Sequence, residues 1–141
     1  MSWNRPVTKG FIVNLVNHER MTFQYNPNEF IDEKGLVLAT LQIPGQNHPH
    51  YQFVAGEPRR ISFKLHLLKE RVKERAEWLQ TLISPADGSS PPKTLLVIGE
   101  LYQGVICIVR RVKIVYFNSF EPKSLTPLRA AAEIEIEVAN D

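Results

Sequence analysis

Ile61-Ser62-Phe63-Lys64-Leu65-His66-Leu67 alternates apolar and polar side chains without a break. Successive side chains of a strand point to opposite faces, so Ile61, Phe63, Leu65 and Leu67 share one face while Ser62, Lys64 and His66 share the other. This predicts a strand with one face on a core and one in water. The period then changes. Val72, Ala76, Leu79 and Leu82/Ile83 recur at helical spacing. Arg71–Glu74 and Lys73–Glu77 lie one turn apart on the opposite side of that helix. Ser84-Pro85 ends it, because the residue before a proline avoids the helical region.

On either side of this strand and helix, most of the remaining pattern is β. Phe11–Val16 and Met21–Tyr25 flank the polar break Asn17-His18-Glu19-Arg20 and read as a hairpin. Asn26-Pro27-Asn28 stops the second strand, since proline has no ladder donor. From Glu29 to Arg60 the pattern loses regularity. Leu36–Ile43 has strand composition, Pro44-Gly45-Gln46-Asn47 is a turn signal, and His48–Gln52 is extended without forming core. The region reads as a long surface excursion. Beyond the helix, Ala86–Lys93 is a loop, Thr94–Ile98 is apolar and Gly99–Gly104 is turn-like. Gln103–Asn118 is a long β-branched stretch interrupted by Arg110-Arg111, and Leu128–Val138 is the last strand. The expected fold class is mainly β with one α-helix: a small β-barrel or sandwich with the helix against it.

The 141 residues fit one domain, residues 10–141, preceded by an N-terminal arm, residues 1–9. A hydrophobic content of 43% with 23% charged residues is that of a chain that folds. The formal net charge of +2 is too small to argue for nucleic-acid binding by bulk electrostatics. The single cysteine, Cys107, excludes an intrachain disulfide, and its place in Val105-Ile106-Cys107-Ile108-Val109 predicts a small buried hydrophobe. Met1–Gly10 carries no apolar stretch of signal-peptide type, and no segment approaches the roughly twenty apolar residues that span a bilayer. The expectation is a soluble protein made in a cytoplasm.

The chemistry-bearing patterns are sparse. The chain has no glycine-rich phosphate loop and no G-x-S-x-G turn. His48-Pro49-His50 is the one histidine cluster, and with Glu57 the nearest carboxylate it reads as a polar loop. His18 falls in a turn, and His66 shares a polar strand face with Lys64. No catalytic residue, metal or cofactor is expected. Arg59-Arg60, Arg71, Lys73 and Arg75 lack interleaved exposed aromatics, and Glu70, Glu74 and Glu77 balance the helical ones, so specific nucleic-acid binding is not expected. Glu133, Glu135 and Glu137 alternate with Ile134, Ile136 and Val138 and form a solvated row on one strand face. Two readings stay open. The row makes cross-strand ion pairs with Arg110-Arg111-Val112-Lys113, or it lines a pore and repels a nucleic-acid backbone passing through.

Several stretches together resemble one family. Phe23-Gln24-Tyr25-Asn26-Pro27 followed by Glu29-Phe30 resembles the opening F-x-[FY]-N-P-x-[ED] of the tube and adaptor proteins of contractile injection systems and contractile phage tails. Leu41-Gln42-Ile43-Pro44-Gly45, Gln52-Phe53-Val54-Ala55-Gly56 and Arg60-Ile61-Ser62-Phe63-Lys64-Leu65 are similar to its early part. Pro127-Leu128-Arg129-Ala130, leading into alternating Glu and Ile, resembles its terminal hairpin. The resemblance runs from Lys9 to Val138.

It implies a tail-tube-like fold of two antiparallel sheets with a flanking helix. It also implies a non-enzymatic structural subunit that forms a ring, six-fold by likeness, as a tube initiator or adaptor between the tail tube and the baseplate hub or spike. The implied partners are further copies of the chain, the tail tube protein and the hub proteins. The implied location is the virion or injection particle, after synthesis in the host bacterial cytoplasm. Longer relatives carry a LysM domain. This chain ends directly after the last strand, so no peptidoglycan-binding role is expected. Candidate contacts between subunits are Trp3, Pro44, His48, Tyr51, Phe53, Arg59 and Arg60, in the arm and the excursion. Glu133, Glu135 and Glu137 are the candidate lumen-facing residues. The competing expectation from the residues is a small β-barrel nucleic-acid-binding module.

Overall fold

The alternating stretch around Phe63 lies within a seven-stranded antiparallel sheet. In chain order the elements are β1 (Phe11–Asn14), β2 (Arg20–Thr22), β3 (Phe30–Glu33), β4 (Leu36–Leu41), β5 (His50–Gly56), β6 (Arg60–Leu68), α1 (Val72–Thr81), β7 (Lys93–Ile98), β8 (Tyr102–Tyr116) and β9 (Arg129–Val138). The structure is a computed structural model that describes residues 8–41, 44–45, 50–84, 90–117 and 120–139, without the side chains of Val37, Leu41, His50, Tyr51 and Phe53. The large sheet runs β2-β1-β7-β8-β9-β6-β3, and β4 and β5 pair as a separate two-stranded sheet.

The burial of β6 follows its sequence: Ile61, Phe63, Leu65 and Leu67 are buried, and the residues between them are not. β9 presents Ile134, Ile136 and Val138 to the same side, in register with Phe63, Ile61 and the end of the ladder. α1 adds Leu79, with Leu82 just past its end, to this cluster, and Val72 and Ala76 rest on Leu67 and Ala130. The alanine run Ala130-Ala131-Ala132 at the start of β9 is buried throughout. Small side chains on the inward positions of that run leave room for the helix to approach. Cys107 is fully buried, as its apolar run predicts, and accepts or donates a hydrogen bond with the Thr94 hydroxyl at 3.1 Å. Burial pushes its thiol up to about 11, against a small opposing effect of Thr94, so it carries no thiolate at neutral pH.

β8 bends twice. Gly104 falls outside the β7–β8 register at φ +132°, and Arg110 falls outside the β8–β9 register. Each is a bulge, which increases local twist, and the first requires glycine because of its positive φ. The curl brings the two ends of the sheet toward each other. The Phe23 ring, just past β2, lies 6.0 Å from that of Phe63 on β6, and Phe30 of β3 packs edge-on against Tyr102 of β8 at 5.5 Å.

The expected mainly β architecture with one helix is what forms, and its seven-stranded sheet stays open. β2 is three residues long, and the chain turns away at Asn26-Pro27 before a ladder with β6 can start. A side chain spans the gap instead. The Gln24 amide donates to the Leu68 carbonyl at 3.0 Å and accepts from the Leu68 N–H at 3.1 Å, copying a backbone bridge. The stretch that reads from sequence as an irregular excursion is largely strand. β3 pairs with β6 from Phe30↔Phe63 to Glu33↔Arg60, the Glu57 N–H donates to the Gly35 carbonyl, and β4 and β5 continue the same hairpin away from the core.

Candidate assembly surfaces

The outer part of that hairpin, β4 and β5, is an arm. Neither strand contains Asp, Glu, Lys or Arg. No described side chain in it is buried, and Leu36, Leu38 and Val54 are 54%, 49% and 56% exposed. A two-stranded ribbon without a third strand or a helix behind it is marginal in water. Pro44 is exposed at the turn that follows β4. Tyr51 and Phe53 lie on β5, opposite Thr40 and Leu38. Trp3 and His48 lie outside the described residues, and with His48 so does the His48-Pro49-His50 cluster as a unit.

At the root of the arm a polar cluster ties β3 to the sheet interior. Arg59 grips the Asp32 carboxylate with two hydrogen bonds, Nε at 2.9 Å and Nη2 at 2.6 Å, and the Tyr102 hydroxyl donates to the same carboxylate at 2.9 Å. The Arg59 guanidinium also sits 5.8 Å from the Tyr102 ring centroid. The Arg59 bonds hold Asp32 below the usual carboxylate range, with Tyr102 assisting against the pull of partial burial. Burial first, and then the Asp32 charge, push Tyr102 up to about 12. Arg59, a candidate subunit contact in the sequence, is therefore engaged within its own chain. Arg60, beside it, points the other way and is exposed.

The face of β3, β6, β9 and β8 away from the core is ordered by charge. The register places Glu33 opposite Arg60 and Arg60 opposite Glu137. It places Lys64 opposite Glu133, Glu133 opposite Lys113, and Glu135 opposite Arg111. Lys113 Nζ lies 3.8 Å from Glu133, and Arg110 Nη1 lies 3.9 Å from Glu135. Glu133, Glu135 and Glu137 thus run between two basic strands. Of the two readings left open by the sequence, the cross-strand ion pairs between β8 and β9 are present, and Lys64 and Arg60 of β6 stand opposite the glutamates on the second side. Exposed pairs of this kind contribute about 0–1 kcal/mol each, so they select register more than they add stability. A shallow depression of about 340 Å³ crosses this face, lined by Glu29, Ile31, Lys64, Arg111, Glu133 and Glu135 among others.

No protein-family model matches the chain, and no curated protein matches it.

The residues missed by sequence reasoning are Asp32, Tyr102 and Gln24. Asp32 and Tyr102 stand 70 positions apart and meet only because the sheet curls. Gln24 sits in the sequence as an ordinary polar residue of an alternating strand. Its one local signal is its place just before Asn26-Pro27, where a ladder has to stop.

Proposed function

We propose that this protein is a structural subunit of a contractile phage tail or a related injection machine, a tube-initiator or adaptor ring between the tail tube and the baseplate hub. One observation carries the reading. The chain builds its core in the open sheet and then extends an uncharged, largely apolar two-stranded arm, none of whose described side chains is buried. Exposed apolar strands of this kind are a liability in a protein that works alone, and natural monomers blunt them with charge or proline. In a subunit of a ring they are contact surface. The family resemblance of Phe23–Pro27 with Glu29-Phe30, Leu41–Gly45, Gln52–Gly56, Arg60–Leu65 and Pro127–Ala130 supplies the kind of assembly, and with it six-fold symmetry, a tail-tube partner above and a hub partner below. The role asks for no catalytic group and no cofactor.

A nucleic-acid-binding module is the competing reading. The neutral outer face weighs against it, because each basic position of β6 and β8 named above is matched by a glutamate rather than offered to phosphates.

The test is the mass of the purified chain by light scattering, followed by negative-stain electron microscopy, alone and mixed with purified contractile-tail tube and hub proteins. Rings or stacked tubes with an open channel are expected. A chain that stays monomeric in every mixture and binds single-stranded nucleic acid tightly overturns the proposal.

A further inference from the structure

β2 ends the large sheet on one side, and its free edge runs beside α1. The Phe23 N–H donates to the Gly10 carbonyl, and the Glu19 carbonyl accepts from the Asn14 N–H, so residues 19, 21 and 23 turn their backbone groups toward β1. That direction alternates along an antiparallel strand, so the N–H and C=O of Arg20 and of Thr22 point outward. None of these four groups has a partner among the described residues.

The edge opens into a groove of about 350 Å³. Arg20, Met21 and Thr22 form one wall. Arg71, Glu74, Arg75 and Trp78 form the other, at the i, i+3, i+4 and i+7 spacing of one helix face. Met21 belongs to the core and the part-buried Trp78 packs against it, so the groove has an apolar floor. Arg71 is tied to Glu74 at 2.6 Å. Arg20, whose guanidinium lies 5.0 Å from the Phe11 ring centroid, has no ion-pair partner among the described residues, and neither has Arg75. A single charge suffices to turn stray strands away from an edge. Here two uncommitted arginines from two different elements converge, with a tryptophan, on unpaired backbone.

We propose that this edge is a docking groove for an extended acidic segment of a partner protein, which adds to β2 as a further strand beside α1. Residues of the segment directly opposite Arg20 and Thr22 exchange backbone hydrogen bonds with them. Their side chains share the outer face with Arg20, where a carboxylate meets the guanidinium. The residue between them, opposite Met21, points to the inner face, toward Trp78, and takes an apolar side chain. The fitting pattern is therefore acidic, apolar, acidic along an extended chain. A nucleic-acid backbone fits less well. Half of the free groups of β2 are carbonyls, which accept and do not donate, and Glu74 stands in the groove. The contact belongs to a single chain and does not rest on the ring reading.

The experiment uses the full chain and three synthetic octapeptides, with binding followed by isothermal titration calorimetry. One alternates Glu and Val, one alternates Lys and Val, and the third is the Glu–Val peptide methylated on its Glu backbone nitrogens, which keeps the charge and removes the ladder donors. The Glu–Val peptide is expected to bind, and the other two about tenfold or more weakly. Arg20→Glu and Arg75→Glu, each in the chain, are expected to weaken the Glu–Val peptide by about tenfold or more. Hydrogen exchange on the unsubstituted chain supplies a readout that does not depend on how the variants fold. The Arg20 and Thr22 amides are expected to slow when the Glu–Val peptide is added. Equal affinity for the methylated peptide means attraction by charge alone and overturns the strand addition. Equal affinity for the Lys–Val peptide, or no binding of the Glu–Val peptide, overturns it as well. A single-stranded oligothymidylate that protects the same two amides more strongly than the peptide overturns it in favour of nucleic acid. Failure of the peptide leaves the tail reading standing, since that reading is decided by rings seen in the microscope.

Discussion

The two ends of one long hairpin behave as different materials. Where β6 pairs with β3 and β9, Ile61, Phe63, Leu65 and Leu67 are buried and the residues between them are polar. Where β4 pairs with β5, the described side chains are all at least partly exposed, and none of the thirteen strand residues is charged. The backbone ladder is continuous in kind between the two, so hydrogen bonding does not distinguish them. What differs is a surface to lie against. The β6 end meets β9, α1 and the phenylalanines of the opposite edge, and its stability is tertiary. Among the described side chains of the arm none is buried, and they are suited to a contact made later, with another molecule.

The most direct test of this contrast is to truncate one apolar side chain at each end. Phe63 is 5% exposed and has the rings of Phe30 at 5.4 Å and Phe23 at 6.0 Å. Phe63→Ala is expected to lower the unfolding free energy by about 3–5 kcal/mol, the usual range for an aromatic lost from a packed core. Leu38→Ala on the arm is expected to stay within about 0.5 kcal/mol of the unsubstituted chain, as exposed sites do. Urea unfolding of both variants decides the matter. A cost at Leu38 approaching that at Phe63 means the arm packs on its own chain and is not a free contact surface.

The same contrast explains what is legible in the sequence. The strand Ile61–Leu67 and the helix after it are readable because a core on one side and water on the other imprint a period on the residues. Arg110, Arg111 and Lys113 opposite the glutamates of β9 are readable as one of two alternatives, since charges at strand spacing on a solvated face look for cross-strand partners. β4 and β5 read as irregular for the opposite reason. With no core behind the arm, nothing forces alternation, and an apolar residue on either face leaves no period to detect. Lys64 and Arg60 flanking the glutamates from the second side require the register of β6 on β9, which no local pattern encodes. The pairing of Gln24 with Leu68, 44 positions away, and that of Asp32 with Tyr102 follow from the curl of the sheet, a property of the bulges at Gly104 and Arg110 acting over the whole ladder.

Gln24 offers a second, milder perturbation, at the seam where the core end stops short of closure. Gln24→Ala removes both hydrogen bonds to Leu68. A part-buried pair of neutral bonds contributes about 1–2 kcal/mol in total, because water replaces some of what is lost. The expected signature is local. Exchange of the Leu68 amide accelerates, while the amides of the β8–β9 ladder keep their protection. If the whole sheet loosens together, the seam is a structural closure of the fold rather than a clip on its edge.

The joint between the two regions responds least, and it carries a pH dependence. Asp32 is held by Arg59 and Tyr102 just below the start of the arm. Its carboxyl titrates lower in the folded chain than in the unfolded one, so folding is favoured by its charged form. That contribution is complete above the unfolded aspartate value, about 4, and is lost as pH falls through the lower folded value. Asp32→Asn removes the charge and with it the pH dependence. The variant is expected to be about 1 kcal/mol less stable than the unsubstituted chain at neutral pH, since both partners of the ion pair keep some contact with water. The gap should then close on acidification below about pH 4, as protonated Asp32 loses the same attraction. Urea midpoints of the two proteins measured from pH 7 downward test the sign directly. A difference that stays constant across that range means the arginine is held by geometry rather than by the aspartate charge, and the root of the arm then owes its placement to the β3–β6 ladder alone.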